Sequence, residues 1–182
     1  MLAALWLPIV LSAVIVFVAS SILHMVLPYH KSDYQKLPDE DKVLPVLRSA
    51  GLKRGLYVFP FCTQKEMKSP AMIEKYQQGP VGMMTILHNG PPAMPKFLGL
   101  WFAYCLVVSL IVAHLAAHTV FPFETYRHVF RVVGVSSFLA YGMGNIVNSI
   151  WKGQTWSMTI TSLIVMLQVC PFQMLLTIFP RP

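Results

Sequence analysis

FLGLWFAYCLVVSLIVAHLAAHTVF, running from Phe97 to Phe121, decides the fold. It carries no Asp, Glu, Lys or Arg, and a helix needs about 20 such apolar residues to cross a bilayer core. Three further segments read the same way. One runs from Leu2 to about Leu27 without a charge, one from about Val129 to Trp151 with Arg131 in its first turn, and one from about Trp156 to Phe179. The sequence therefore predicts an all-α membrane protein with four transmembrane helices. Residues 1–28 hold the first helix, residues 29–96 a structured cytoplasmic loop or cap, and residues 97–182 helices two to four.

Composition agrees with this division. Charged residues are 12% of the 182 and apolar residues 55%, where a soluble domain carries about 25% charge. Mean hydropathy is +0.59. A chain this short has too small a core to hide that much apolar surface from water. A soluble enzyme, a disordered tail and a disulfide mini-protein are all disfavoured. The three cysteines, Cys62, Cys105 and Cys170, form no C-x-x-C pair, so neither a disulfide framework nor a thiolate zinc site is expected. The net charge of +7 is spread among acids rather than gathered in a dense basic run, so no nucleic-acid partner is expected.

The first segment lacks a basic leader and exceeds the usual length of a signal h-region, so it reads as a retained helix rather than a cleaved signal peptide. Orientation follows the excess of Lys and Arg on the cytoplasmic side. Residues 29–96 hold ten Lys/Arg, and with Lys152 one side carries eleven against three (Arg127, Arg131 and Arg181) on the other. This puts the loop inside and both termini outside. Helices two and three are joined by Pro122–His128, and helices three and four by Lys152–Thr155. Links this short make antiparallel neighbours.

The loop is too long to be structureless. Pro38-Asp39-Glu40-Asp41 opens a helix that stops at Ala50-Gly51, with Pro45 limiting it. Ser69-Pro70 opens another, which stops at Gly79-Pro80. The run from Leu56 to Cys62 is either a strand or an interfacial segment. Residues 81–96, with Gly90-Pro91-Pro92 and Pro95, read as turns. The loop is expected to form a small cap on the inner membrane surface.

Lys65-Glu66-Met67-Lys68-Ser69-Pro70, Gly79-Pro80-Val81-Gly82, Trp101-Phe102-Ala103-Tyr104 and Ser149-Ile150-Trp151-Lys152-Gly153 resemble patterns in uncharacterised bacterial four-helix inner-membrane proteins of similar length. The resemblance covers most of residues 30–155. It implies a bacterial inner-membrane setting and nothing about chemistry.

Several constellations are candidates for function. His114 and His118 share a helix face at i, i+4. Glu124 and His128 follow at the same end, and the four are candidate ligands for a transition metal. The more ordinary alternative is histidines at a wet interface. Haem between His24 and His114 or His118 is excluded within one chain, because roughly 15–25 Å of depth separates them. Arg127 and Arg131, one turn apart, are candidates for an anionic headgroup or substrate, or simply snorkel.

Helix three carries two adjacent lines at i+4. Ser136, Ala140, Gly144 and Asn148 form a small-residue line, and Ser137, Tyr141, Asn145 and Ser149 a polar one. Small lines let helices approach closely in lipid, and Asn145 or Asn148 can hydrogen-bond across such a contact. A polar solute path is the alternative. Helix two offers a small line of its own, Ser109, Ala113 and Ala117. Pro171, with Gln168 and Gln173 nearby, is expected to kink helix four.

The chain has no P-loop, G-x-G-x-x-G, H-E-x-x-H or G-x-S-x-G, and no catalytic residue is assigned. The expected role is an integral membrane accessory, assembly or scaffold subunit of a larger complex. Its partners would be the lipid bilayer and other membrane subunits or further copies of itself. A redox, metal- or haem-binding protein and a small oligomeric transporter are the alternatives, and no cofactor is assigned.

Overall fold

The computed structural model describes residues 5–26, 34–119 and 126–169. It is mostly helical, 69% helix with little sheet, and divides into two units. One comprises Met1–Tyr34 with Ala93–Pro182, the other Gln35–Pro92.

The first unit is built from α1 (Trp6–Ser21), α4 (Met94–Thr119), α5 (Tyr126–Tyr141), α6 (Gly144–Lys152) and α7 (Trp156–Val169). The second holds α2 (Glu40–Ser49), β1 (Gly55–Phe59), α3 (Pro70–Gln78) and β2 (Gly82–Ile86). Among the described residues, three helical stretches are long and apolar enough to cross a membrane: Trp6–Val26, Met94–Thr119 and Arg127–Lys152. Of the expected fourth span, Trp156–Met166 is a shorter apolar helix. Its continuation, with Cys170, Pro171 and Gln173, lies outside the described residues, as does the side chain of Gln168.

In the helical unit α4 packs on both α1 and α5. The buried positions of α1 are Pro8, Ile9, Ser12, Ala13, Val16 and Ser20, and those of α4 are Cys105, Val108, Ser109, Val112 and Ala113. Both sets recur at three- and four-residue steps, one stripe per helix. Most are small, which lets the axes come close where lipid offers no hydrophobic drive for association. The late residues of α1 meet the early ones of α4, with Phe17 and Phe102 ring centroids 5.5 Å apart. Early α4 in turn meets late α5, where Tyr104 donates to the Ala140 carbonyl at 2.7 Å. The neighbours are therefore antiparallel. α1 ends in a π-helical turn, Ile22–Val26, in which His24 Nδ1 lies 2.8 Å from the Ser20 carbonyl.

Helix three of the sequence reading is not one regular helix. It breaks at Gly142-Met143 into α5 and α6. Asn145 N–H and Ile146 N–H donate three residues back, to Gly142 O at 3.1 Å and Met143 O at 3.2 Å. This single tight turn is of the 3₁₀ kind, at a residue type that commonly hosts kinks.

The second unit corrects the reading of residues 81–96 as turns, because β2 lies there. It pairs antiparallel with β1, from Gly55 opposite Ile86 to Phe59 opposite Gly82. Turn residues crowd the segment, but Met83-Met84-Thr85-Ile86 is a short run able to pair once α3 returns the chain beside β1. A hydrogen atom at Gly82 suits this register, since a Cβ there would stand 3.1 Å from the Phe59 ring. α3 is capped by Ser69, whose Oγ accepts from Met72 N–H at 3.3 Å, with Pro70 in its first turn and Gly79 at its end. α2 differs at its start. Asp39 sits at φ 48° and makes no side-chain cap; its carboxylate instead takes Lys42 Nζ at 3.3 Å. α4 begins at Met94, ahead of the expected Phe97, because Pro95 is tolerated in a first turn.

Candidate functional site

Among the described residues of the helical unit, two groups of side-chain contacts stand out, one beside Tyr141 and one at Ser149. The first lies where α1, α4 and α5 meet. Trp101 Nε1–H donates to Ser20 Oγ at 2.9 Å, and Ser20 Oγ–H donates to the Phe17 carbonyl at 3.0 Å. Trp101 stacks on Tyr104, centroids 5.4 Å apart, and Tyr141 meets both edge-on at 6.1 and 5.6 Å. Offset and edge contacts of this kind suit the ring quadrupoles. The Ala140 carbonyl lies in the last turn of α5, where helix carbonyls lose their intrahelical donors, and the Tyr104 hydroxyl supplies one.

The second place joins α6 to α7. Ser149 and Thr159 are both buried and share a short hydroxyl–hydroxyl hydrogen bond. Thr159 Oγ1 also lies 3.4 Å from the Asn145 carbonyl and 3.4 Å from Gln154 Nε2. One residue type per helix thus closes the turn Lys152–Thr155 from within.

Burial differs between the two lines on helix three. Val133, Ser137, Tyr141 and Ser149 are buried, while Ala140 and Gly144 are exposed and Ser136, Asn145 and Asn148 half-buried. On the polar line Ser137 Oγ–H donates to the Val133 carbonyl one turn back, 2.7 Å away, and Ser149 bonds Thr159 of α7. The close-approach glycine is Gly142, not Gly144. A Cβ at Gly142 would stand 2.9 Å from the Phe138 carbonyl oxygen and 3.2 Å from Leu163 Cδ2, whereas one at Gly144 meets nothing within 4 Å. Sequence periodicity shows both lines but carries no sign for which one the bundle uses. On α4, Ser109 and Ala113 are buried and Ala117 is half-buried.

The histidines are not gathered into a ligand set. His114 and His118 lie side by side on α4 with ring centroids 4.4 Å apart, and both are exposed. His128 is exposed on α5. Among the described residues no group of three or more His, Cys, Asp or Glu is arranged to hold a metal ion. Glu124 lies outside the described residues. Arg127 and Arg131 are both exposed at the start of α5.

Outside the spans, Thr63 N–H and Oγ1–H both donate to Glu66 Oε2, at 3.0 and 2.8 Å, and hold that carboxyl below its ordinary 4.5. Cys62 Sγ and the Tyr76 hydroxyl are 3.2 Å apart, a hydrogen bond that pushes the tyrosine above its ordinary 10.0. Sequence reading missed this pair, which fourteen residues separate and only the return of α3 brings together.

Comparison with protein-family models, with curated proteins and with solved structures gave no match.

Proposed function

We propose that the chain is an integral accessory, assembly or scaffold subunit of a larger complex in a bacterial inner membrane. The reading places the Gln35–Pro92 unit inside and both termini outside, on the eleven-to-three Lys/Arg division and the resemblance described above. One observation carries the subunit role: Ala140 and Gly144, on either side of the α5–α6 break, are exposed, and a Cβ at Gly144 would meet nothing within 4 Å. A partner helix can approach closely at such small residues, gaining van der Waals contact that lipid does not replace. Most of each described span is exposed rather than buried within the chain, which leaves surface for lipid and for partner helices.

Mild detergent extraction followed by co-purification tests this. The wild-type chain should emerge with membrane partners or with further copies of itself. Gly144→Leu should lose them while the isolated chain melts as the wild type does, since open space surrounds the site. Extraction of the chain alone, or full partner retention by Gly144→Leu, would sink the proposal.

A further inference from the structure

The Gln35–Pro92 unit has little interior. Met72 is its one buried apolar side chain, and a two-stranded sheet alone is at best marginally stable in water. Its strands alternate strictly. Gly55, Tyr57 and Phe59 with Gly82, Met84 and Ile86 are half-buried, while the intervening residues are exposed. The register sets Leu56 opposite Thr85 and Val58 opposite Met83 on the exposed face. Val81 and Leu87, just beyond either end of β2, continue the same alternation. Leu56, Val58, Val81, Met83 and Leu87 are 41–69% exposed. Isolated apolar residues on a surface are ordinary, but a contiguous set marks a surface that something covers.

Two facts select the occupant. The chain from Leu87 to Met94 extends to at most about 25 Å, and Met94 opens a helix able to cross a membrane. This face is therefore tethered close to any bilayer that α4 enters. The unit is also basic, with eight Lys/Arg against five Asp/Glu. Arg54 stands just before β1 in step with Leu56 and Val58, exposed, with its guanidinium 3.2 Å from His88 Nε2.

We propose that the exposed face of the β1–β2 sheet rests in the headgroup region of the bilayer. Its apolar side chains reach the acyl boundary, and Arg54 meets anionic phosphates. Apolar burial and attraction to anionic lipid combine in this way at interfacial elements. The inference is independent of the subunit reading, since it concerns lipid and would hold for the chain alone.

The full chain in nanodiscs, without other proteins, tests it. Spin labels would be placed by Val58→Cys and Met83→Cys, with Asp41→Cys on exposed α2 as reference, in a background of Cys62→Ser, Cys105→Ala and Cys170→Ala. Labels at 58 and 83 should collide with a water-soluble nickel chelate severalfold less often than the label at 41, and with oxygen more often. The contrast should grow when phosphatidylglycerol replaces part of the phosphatidylcholine. Equal chelate access at all three positions overturns the proposal. So does shielding from both reagents at 58 and 83, the signature of a second protein copy covering the face. The wild-type chain supplies a check that needs no substitution. A photoactivatable phospholipid should attach to peptides containing residues 55–59 and 81–87, and attachment confined to the spanning helices would equally refute it.

Discussion

Gly142→Ala is the sharpest test of the packing. The added methyl would stand 2.9 Å from the Phe138 carbonyl oxygen, 3.2 Å from Leu163 Cδ2 and 3.4 Å from Phe138 Cε2. The leucine tip can swing aside. The carbonyl cannot, because it already accepts the Gly142 N–H at 2.8 Å in the turn that joins α5 to α6. Overpacking of this kind costs about 1–3 kcal/mol. Replacing glycine by alanine also cuts backbone entropy in the unfolded chain, which favours the variant by about 0.4–1 kcal/mol. The net expectation is a loss of about 1–2 kcal/mol, and at about 2–4 °C per kcal/mol for a chain of this length the melting temperature should fall by several degrees. Gly144→Ala is the control. It sits at the start of α6 in open space, so the entropy term acts alone and the variant should melt at or above wild type. Thermal unfolding in detergent, followed by circular dichroism, reads both. If Gly142→Ala melts with or above Gly144→Ala, the α5–α6 turn is not tightly packed and the assignment of the inward line fails.

Three further outcomes are expected. Trp101→Phe should lose the bond to Ser20 Oγ, and a double-mutant cycle with Ser20→Ala should return about 0.6–1.7 kcal/mol of coupling; zero coupling would mean the indole is held by stacking alone. In intact cells an impermeant thiol reagent should leave Cys62 unmodified until the membrane is opened, and prompt labelling from outside would invert the topology. Glu66 should titrate below 4.5 in a carboxylate NMR titration, because Thr63 hydrogen-bonds its charged form. Its folded value is depressed, so its contribution is present above the unfolded value and is lost as pH falls through the folded one. Thr63→Ala removes one of the two donors and should move the titration upward.

The apolar stretches at Trp6–Val26, Met94–Thr119 and Arg127–Lys152 were legible in the sequence because span length and hydropathy are one-dimensional properties. So were the ends of α3, since Ser69, Pro70 and Gly79 act on their own local backbone. Strand β2 was not legible. Its pairing with β1 depends on where α3 returns the chain, and local turn residues mask it. The choice between the two lines of helix three was also tertiary. Periodicity shows a small and a polar line side by side, but which one faces inward depends on what stands opposite, as Thr159 does for Ser149 and the Trp101 and Tyr104 rings do for Tyr141. The candidate histidines make a related point. The spacing of His114 and His118 fixes their shared face, but whether that face meets His128 is set by how α4 and α5 roll against each other. Sequence alone determined the solvent each segment prefers, because transfer free energy adds along the chain. Only the tertiary structure decided which faces meet, because that depends on complementary partners far away in sequence.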